Sequence, residues 1–197
     1  MALTLTKEDG TGKSNANSYA DVTDGDAYFE GHLYATAWTG ATSDSKAAAL
    51  VMATRLVDSQ FQFNGFRANE TQALQWPRER CPDPDRNLGM STPLSPVLTN
   101  YVPSDEVPCQ VVSAVCELAR ELLIVDRTAA PPGEGILSEH TSEYSRDATG
   151  VASSISSSKM YSKGDTRPII SPVAQAMLAK YGALVSGRSG AVTLVRA

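Results

Sequence analysis

Basic residues are few in this sequence, and no run of five or more lysines and arginines occurs. Its 197 residues include 17 Lys and Arg against 22 Asp and Glu, which gives a net charge of -5 and an isoelectric point near 5.0. Phosphate neutralisation supplies much of the affinity of nucleic-acid-binding proteins, so such proteins usually carry a basic excess. The composition therefore argues against a protein whose main task is to grip nucleic acid, and it leaves a local basic patch open.

Cysteine and histidine are equally scarce. The three cysteines, Cys81, Cys109 and Cys116, form no CxxC pair and leave an odd number, so we expect free thiols in a reducing compartment. The two histidines, His32 and His140, have neither a second histidine four residues away nor a neighbouring cysteine. Because a G-x-S-x-G segment is missing as well, we expect no metal, no cofactor and no enzyme activity.

Long apolar runs are also missing. No stretch approaches the roughly 18 residues of a membrane span, and the N-terminus MALTLTKEDGTGKS lacks the basic start and apolar core of a signal peptide. Apolar residues nevertheless make up 42% of the chain, which is enough for one domain with its own core. We therefore expect a soluble protein made inside the cell.

Helical periodicity accounts for most of the predicted core. Four helices are predicted: from Thr23 until Trp38 breaks the pattern, from Thr42 or Ser43 to about Gln60, from Ser104 to about Asp126, and from Ser171 until Gly182. Residues 1–22 are polar and irregular, and are predicted to form an N-terminal arm. The helices predict a mainly α fold, a small bundle of three to four helices within residues 23–182.

A proline-rich stretch interrupts this bundle at residues 62–103. Its six prolines forbid a long helix or a central strand, so we expect a long surface loop. Trp76, with Pro77, is the expected anchor of this loop, because tryptophan brings a large apolar side chain to an otherwise polar segment. Three basic residues of the loop are candidates for contact with a neighbouring subunit or with DNA: Arg78, Arg80 and Arg86.

The C-terminal third departs from helical periodicity. Residues 134–167 are rich in serine and predict a flexible segment that contains an exposed strand in ILSEHTSEYS. Residues 183–197 predict a C-terminal arm, whose β-prone AVTLV stretch follows a Gly/Ser hinge. Such a strand can add to an exposed sheet edge on another chain. The candidate interface residues of this arm are Leu184, Val185, Val192, Leu194 and Val195.

One short motif imitates a nucleotide site. Gly10-Thr11-Gly12-Lys13-Ser14 matches the end of a phosphate-binding loop, but Lys7 stands where the first glycine of that loop is required. The preceding TLTKED is too short and too polar to be the buried strand that such a loop follows. We therefore expect an ordinary turn.

Four groups of motifs lie in order along residues 8–125. They are EDGTG, ANSY and DAYF (within Glu8–Phe29), AAL and ATRLVD (within Ala48–Asp58), FNG and QALQWPR (within Phe63–Arg78), and Val107-Pro108. Their order and spacing resemble a tailed-phage family of head-to-tail connectors, or adaptors. Members of that family are often labelled DnaT-like single-stranded-DNA-binding proteins.

The resemblance implies a virion protein that forms a ring, a dodecamer, beneath the phage portal. Its implied partners are the portal protein, neighbouring copies and a downstream neck or tail protein, and genomic DNA would pass through the lumen without sequence-specific binding. It would be assembled in the host cytoplasm and reside in the virion neck. From the β-prone stretch of the C-terminal arm we predict that residues 183–197 dock on the portal or on an adjacent subunit. The alternative is a single-stranded-DNA-binding module, although the acidic chain lacks an interleaved aromatic and basic surface.

Overall fold

The structure is a computed structural model that describes residues 3–83, 85, 101–129, 136–142, 156–161 and 168–185. The chain divides into two compact units, one formed by Met1–Arg127 with Ile170–Ala197 and the other by Thr128–Ile169. We call the first unit the hub. None of the helices in the described residues is long and apolar enough to cross a membrane.

All the described helices belong to the hub. They are α1 (Val22–Phe29), α2 (Thr36–Thr39), α3 (Ser43–Gln60), α4 (Cys109–Leu122) and α5 (Pro172–Leu178). The described strands are β1 (Phe61–Phe63), β2 (Phe66–Arg67), β3 (Arg78–Glu79), β4 (Ile136–Ser142), β5 (Ser156–Tyr161) and β6 (Gly182–Leu184). Helix α4 packs against both α3 and α5, which places it at the centre of the hub.

Helix α1 begins earlier than the cap predicted from the sequence. Asp21, and not Thr23, is the N-cap residue: Asp21 Oδ1 accepts the Asp24 N–H at 2.8 Å, and Asp24 Oδ2 accepts the Asp21 N–H at 2.8 Å. This reciprocal capping box satisfies two N–H groups at once, which a single threonine hydroxyl cannot do. The helix ends at Phe29, and the short helix α2 then buries Trp38 completely.

Helix α3 confirms the second predicted helix at both ends. Thr42 is its N-cap, with Oγ1 accepting the Ser45 N–H at 3.3 Å, and the helix ends at Gln60. Its apolar residues recur every three or four positions, and this stripe is the face that the hub buries. The buried residues of α3 are Ala49, Leu50, Val51, Ala53, Thr54, Leu56 and Val57.

Helix α4 confirms the third predicted helix but is shorter than expected. Pro108 is its N-cap residue, where the missing proline N–H costs nothing, and the helix runs from Cys109 to Leu122. Beyond it, Ile124 and Val125 are exposed and do not extend the buried stripe. The fourth predicted helix is confirmed as α5, which begins at Pro172.

Two short antiparallel pairs occupy the region predicted as a surface loop. Strand β1 pairs with β6, with Gln62 opposite Ala183, so the start of the predicted C-terminal arm, including Leu184, is folded onto its own chain. Strand β2 pairs with β3 and forms a second ribbon, with Phe66 opposite Glu79. The part of the loop at residues 61–82 is therefore ordered by backbone pairing, whereas residues 86–100 lie outside the described residues.

The N-terminal segment also differs from the predicted arm. Glu8 and Tyr19 are almost completely buried, and the Tyr19 N–H donates to Thr54 Oγ1 on α3 at 3.3 Å. Ser18 Oγ lies 3.4 Å from the same hydroxyl. The polar residues of this segment therefore serve as internal hydrogen-bonding groups, and they attach it to the hub.

The second unit contains one described ribbon. Strand β4 confirms the strand predicted within ILSEHTSEYS, and it pairs antiparallel with β5, with Glu139 opposite Lys159. Strand β5 lies in a serine-rich stretch that the sequence predicted to be flexible. A β ladder bonds through the backbone, so serine in this stretch does not prevent pairing.

Candidate nucleic-acid and subunit contacts

The predicted loop anchor lies in the core of the hub. Trp76 is completely buried, and its ring stands edge to face with Phe63 at 5.5 Å and with Tyr181 at 5.7 Å between ring centroids. Pro77, joined to it by a cis peptide bond, is buried as well. An indole enclosed in this way fixes the loop to the hub, and its faces are not available to stack on a base.

A tyrosine and an aspartate clasp the same loop through hydrogen bonds. The Tyr19 hydroxyl donates to Asp58 Oδ1 at 2.6 Å and accepts the N–H groups of Gln75 at 2.9 Å and Trp76 at 3.1 Å. Asp58 Oδ2 also accepts the Gln75 N–H at 3.0 Å. Burial raises the pKa of Asp58 to about 6 and raises the pKa of Tyr19 well above its usual value.

Arg78 makes its hydrogen bonds inside the hub. This finding corrects the prediction that Arg78 contacts a neighbouring subunit or DNA. Nε donates to Asn64 O at 2.8 Å, and Nη2 donates to Phe63 O at 3.2 Å and to Gly65 O at 2.7 Å. Nη1 donates to the backbone and side-chain oxygens of Gln75 at 3.1 and 3.0 Å. All its donors are engaged, and the guanidinium closes the side of β1 that faces away from β6.

Arg80 is placed very differently. Its side chain is exposed, its backbone φ is 55°, and it makes no hydrogen bond or salt bridge within the described part of the chain. On the neighbouring strand β2, Arg67 is also exposed and Phe66 has 66% of its surface accessible. We call these three residues the ribbon patch because they share one ribbon; Phe66 and Arg67, as neighbours on β2, point to its opposite faces. Arg86, the third predicted contact, lies outside the described residues.

Most other basic side chains of the described residues are paired. The lysine pairs are Lys7–Asp24 at 2.5 Å, Lys13–Asp9 at 2.7 Å, Lys46–Asp26 at 2.7 Å and Lys180–Asp85. The arginine pairs are Arg120–Glu117 at 2.9 Å and Arg127–Glu121 at 2.9 Å. Among the basic residues of the hub whose side chains the structure describes, Arg55, Arg67 and Arg80 have no hydrogen bond or salt bridge. Two of these three arginines belong to the ribbon patch.

The loop that resembles a phosphate site is filled by its own carboxylate. The Glu8 side chain accepts the N–H groups of Gly10 at 3.0 Å, Gly12 at 2.9 Å and Lys13 at 2.8 Å. Both glycines have positive φ, 99° and 73°, which turns these N–H groups toward one point. The groups that would cradle a phosphate are therefore already bonded, in agreement with the predicted turn.

A second buried carboxylate joins α1 to α4. Glu117 Oε1 accepts the Tyr28 hydroxyl at 3.1 Å and lies 3.2 Å from His32 Nε2, while Oε2 accepts Arg120 Nη2 at 2.9 Å. His32 Nδ1 accepts the Tyr34 N–H at 3.1 Å. The described residues contain no group of three or more potential metal ligands.

The ribbon patch was missed at the level of sequence. The segment FNGFRANE was noted for its FNG motif, and the following Phe66-Arg67 pair was not considered. Phe66 and Arg67 could have been recognised as an aromatic residue next to an arginine. The surrounding residues are polar, so Phe66 does not belong to the apolar stripe of a helix or strand. The remaining predicted interface residues divide in two: Val185 is exposed, whereas Val192, Leu194 and Val195 lie outside the described residues.

Comparison with known proteins places these features in a family. Neither a curated protein nor a solved structure matches the chain. The chain does match the family described as "Putative DnaT-like ssDNA binding protein" over residues 3–197, which includes the Glu8 loop, the Tyr19–Asp58 clasp and the ribbon patch. The chain therefore belongs to the DnaT-like ssDNA binding protein family.

Proposed function

We propose that this protein is a structural virion protein, a head-to-tail connector that joins the phage portal to the neck or tail. The proposal is supported by the internal contacts that residues of the connector-like motifs make. Glu8 of EDGTG fills its own loop, and Tyr19 of ANSY clasps Asp58 of ATRLVD. Arg78 of QALQWPR closes β1. These motifs fasten the segments of one compact hub together, as a building block of an assembly requires.

A connector ring needs two different patches that meet on neighbouring copies, because its interface is heterologous and closes on itself. The hub exposes large apolar side chains that can serve such patches: Leu33, Tyr34, Ile124, Val173 and Val185. The proposed partners are the portal protein, further copies in a dodecameric ring, and a downstream neck or tail protein. The proposed location is the virion neck, reached by assembly in the host cytoplasm.

The charge distribution suits a ring through which DNA passes. Four lysines of the hub, Lys7, Lys13, Lys46 and Lys180, are paired with carboxylates of the same chain, and the whole sequence is acidic. Strong phosphate contacts would resist movement of DNA, since each contact contributes to a salt-dependent affinity. A lumen with few free cations would let genomic DNA pass without sequence-specific binding.

The proposal is tested by mixing the purified protein with the portal protein of the same phage and measuring particle mass by mass photometry. We expect the portal ring to gain the mass of a ring of this protein, whereas the protein alone remains small. Failure of the portal to gain mass under conditions where both proteins are folded would contradict the connector role.

Matched charge variants locate the contact. V192D/L194D places two carboxylates on the β-prone part of the C-terminal arm, and S186D/S189D places the same charge in its Gly/Ser spacer. We expect the first variant to lose most of its binding to the portal and the second to retain it. Equal binding by the two variants would exclude this segment as the portal contact.

A second candidate function is binding of single-stranded DNA, and the ribbon patch favours it. Phe66 offers an exposed ring, and Arg67 and Arg80 offer two unpaired guanidinium groups on the same ribbon. Stacking of a base on an aromatic ring contributes about 1–3 kcal/mol, and arginine adds phosphate contacts. The description of the family also names this activity.

Fluorescence anisotropy of a labelled oligo(dT) at two salt concentrations tests this second function. If the ribbon patch binds the strand, F66A weakens binding about 5- to 150-fold, which corresponds to the loss of one stacked base. R80E should weaken it as well and reduce the salt dependence. R55E is the matched control, because Arg55 is an exposed and unpaired arginine on α3. Binding that R55E and R80E weaken equally would be nonspecific.

A further inference from the structure

The small sheet formed by β1 and β6 has one open edge. Backbone bonds run from Asn64 N to Tyr181 O at 2.8 Å and from Val185 N to Gln60 O at 2.7 Å. In an antiparallel pair, bonded and non-bonded positions alternate. The N–H and C=O groups of Gly182 and Leu184 therefore point away from β1.

The two edges of this sheet differ in whether their outward backbone groups are hydrogen-bonded. On the β1 side, the Phe61 N–H donates to Val57 O, and Phe63 O accepts Arg78 Nη2 at 3.2 Å. On the β6 side, the outward backbone groups of Gly182 and Leu184 have no partner in the described part of the chain. An apolar groove of about 360 Å³ lies beside this edge, between β6 and α5.

The chain itself supplies a strand of suitable length. Twelve residues follow Val185, and they divide into the spacer SGRSG (residues 186–190) and the β-prone stretch AVTLV (residues 191–195). A five-residue connection is within the usual range for a hairpin. A strand tethered this closely has an effective concentration in the millimolar range, far above that of a second copy in dilute solution.

We propose that residues 191–195 pair antiparallel with the open edge of β6 in the same chain and form a third strand of this sheet. The proposal does not depend on either function proposed above. In the free protein, this pairing satisfies the outward groups of β6 and covers an edge that would otherwise template association with other chains. A partner that binds the C-terminal arm would have to compete with it.

The spacer length sets the register. With Val185 opposite Ala191, Ala183 lies opposite Thr193 at a position without ladder bonds between the two residues, where side chains approach most closely. Ala183 is exposed on the described strand. Adjacent residues of a strand point to opposite faces, so Val192 would face away from Ala183 although it is equally near along the chain.

Cysteine crosslinking tests the pairing. In a C109S background, which removes the exposed native thiol, A183C/T193C should form an intramolecular disulfide at least 10-fold faster than A183C/V192C under mild oxidation at dilute concentration. Equal rates for the two pairs would mean that the segment is unpaired. Disulfide-linked dimers as the main product of A183C/T193C would mean that the strand comes from a second copy. Either result would overturn the proposal.

Hydrogen exchange gives an independent readout without new cysteines. The Leu184 amide should exchange at least 10-fold faster in a chain ending at Val185 than in the full chain. The Gln62 amide, which faces β6 from β1, should remain protected in both and shows that the sheet survives truncation. Equal exchange at Leu184 in the two chains would overturn the proposal.

Discussion

Gly25 of α1 lies directly against the indole of Trp38. A Cβ atom placed on Gly25 would stand 2.3 Å from Trp38 Cζ2, which is far inside van der Waals contact. Trp38 cannot withdraw easily, because it is completely buried and its Nε1 donates to Asp26 Oδ1 at 2.8 Å. A residue that usually weakens a helix is therefore required here by packing.

Substitution of this glycine should reverse the usual effect of a helical Gly→Ala change. Such a change normally stabilises by about 0.4–1 kcal/mol, but overpacking a core costs about 1–3 kcal/mol. We expect G25A to lower the free energy of unfolding, measured by urea denaturation. G31A is the control, because no atom lies within 4 Å of a Cβ at that position. Equal stability of the two variants would contradict the packing argument.

Removal of the Tyr19 hydroxyl should cost more than an ordinary hydrogen bond. Y19F leaves the buried Trp76 N–H without a partner, which costs about 1–3 kcal/mol. It also removes one bond each from the Gln75 N–H and the Asp58 carboxylate, which keep their bond to each other. We expect a clear fall in the thermal midpoint. Y28F removes a hydroxyl with one bond in a partly buried site, so it should cost less. A larger loss in Y28F would be evidence against the clasp.

The free energy of unfolding should depend on pH through the titration of Asp58. Burial raises its pKa from 3.8 to about 6, so the folded protein holds this proton more tightly than the unfolded chain. The resulting stabilisation is full below pH 4 and is lost as the pH rises through 6. The stability difference between wild type and D58N, measured by urea denaturation, should therefore favour wild type more at pH 4 than at pH 7, by about 2–3 kcal/mol. A difference that does not change with pH would contradict this.

Neutralisation of Glu8 should loosen the N-terminal segment. In E8Q one carboxylate oxygen becomes an amide donor that faces backbone N–H groups, and a hydrogen bond to a charged group contributes about 1.5–3 kcal/mol. We expect faster proteolysis of residues 3–20 and a lower unfolding midpoint. E30Q makes the same chemical change at an exposed position and should behave as wild type. Similar proteolysis of the two variants would show that the loop does not need the charge.

Arg78 should not tolerate lysine. R78K keeps the charge but cannot reach the carbonyls of Phe63, Asn64 and Gly65 together, so buried acceptors are left unsatisfied at about 1–3 kcal/mol each. We expect R78K to be strongly destabilised in urea denaturation. R67K changes an exposed arginine without a hydrogen bond and should alter stability by less than about 0.5 kcal/mol. Comparable losses in both would contradict the internal role of Arg78.

The helices were predictable because their signals are local. The apolar stripe of α3 and its cap Thr42 lie within one stretch of sequence, and the same holds for the proline that precedes α4. The sequence did not predict that Asp21, and not Thr23, caps α1. Both residues are good caps, and the outcome depended on the reciprocal bond with Asp24.

The attachment of the N-terminal segment could not be predicted because its partners are distant. Tyr19 meets Asp58 across 39 positions of sequence, and nothing near Tyr19 indicates that contact. The contacts of Arg78 are harder still to predict. Its acceptors are mostly backbone carbonyls, which every residue has and which the sequence therefore does not distinguish. An arginine in a polar, proline-rich stretch therefore suggests a surface contact whether it is buried or exposed.

The carboxylate of Glu8 has one consequence for the life of this protein. A loop that binds a nucleotide changes its conformation when the nucleotide binds or leaves. In this loop the anion is the side chain of Glu8, which belongs to the same polypeptide. Its geometry is set when the chain is synthesised and does not vary with the supply of ATP, phosphate or magnesium.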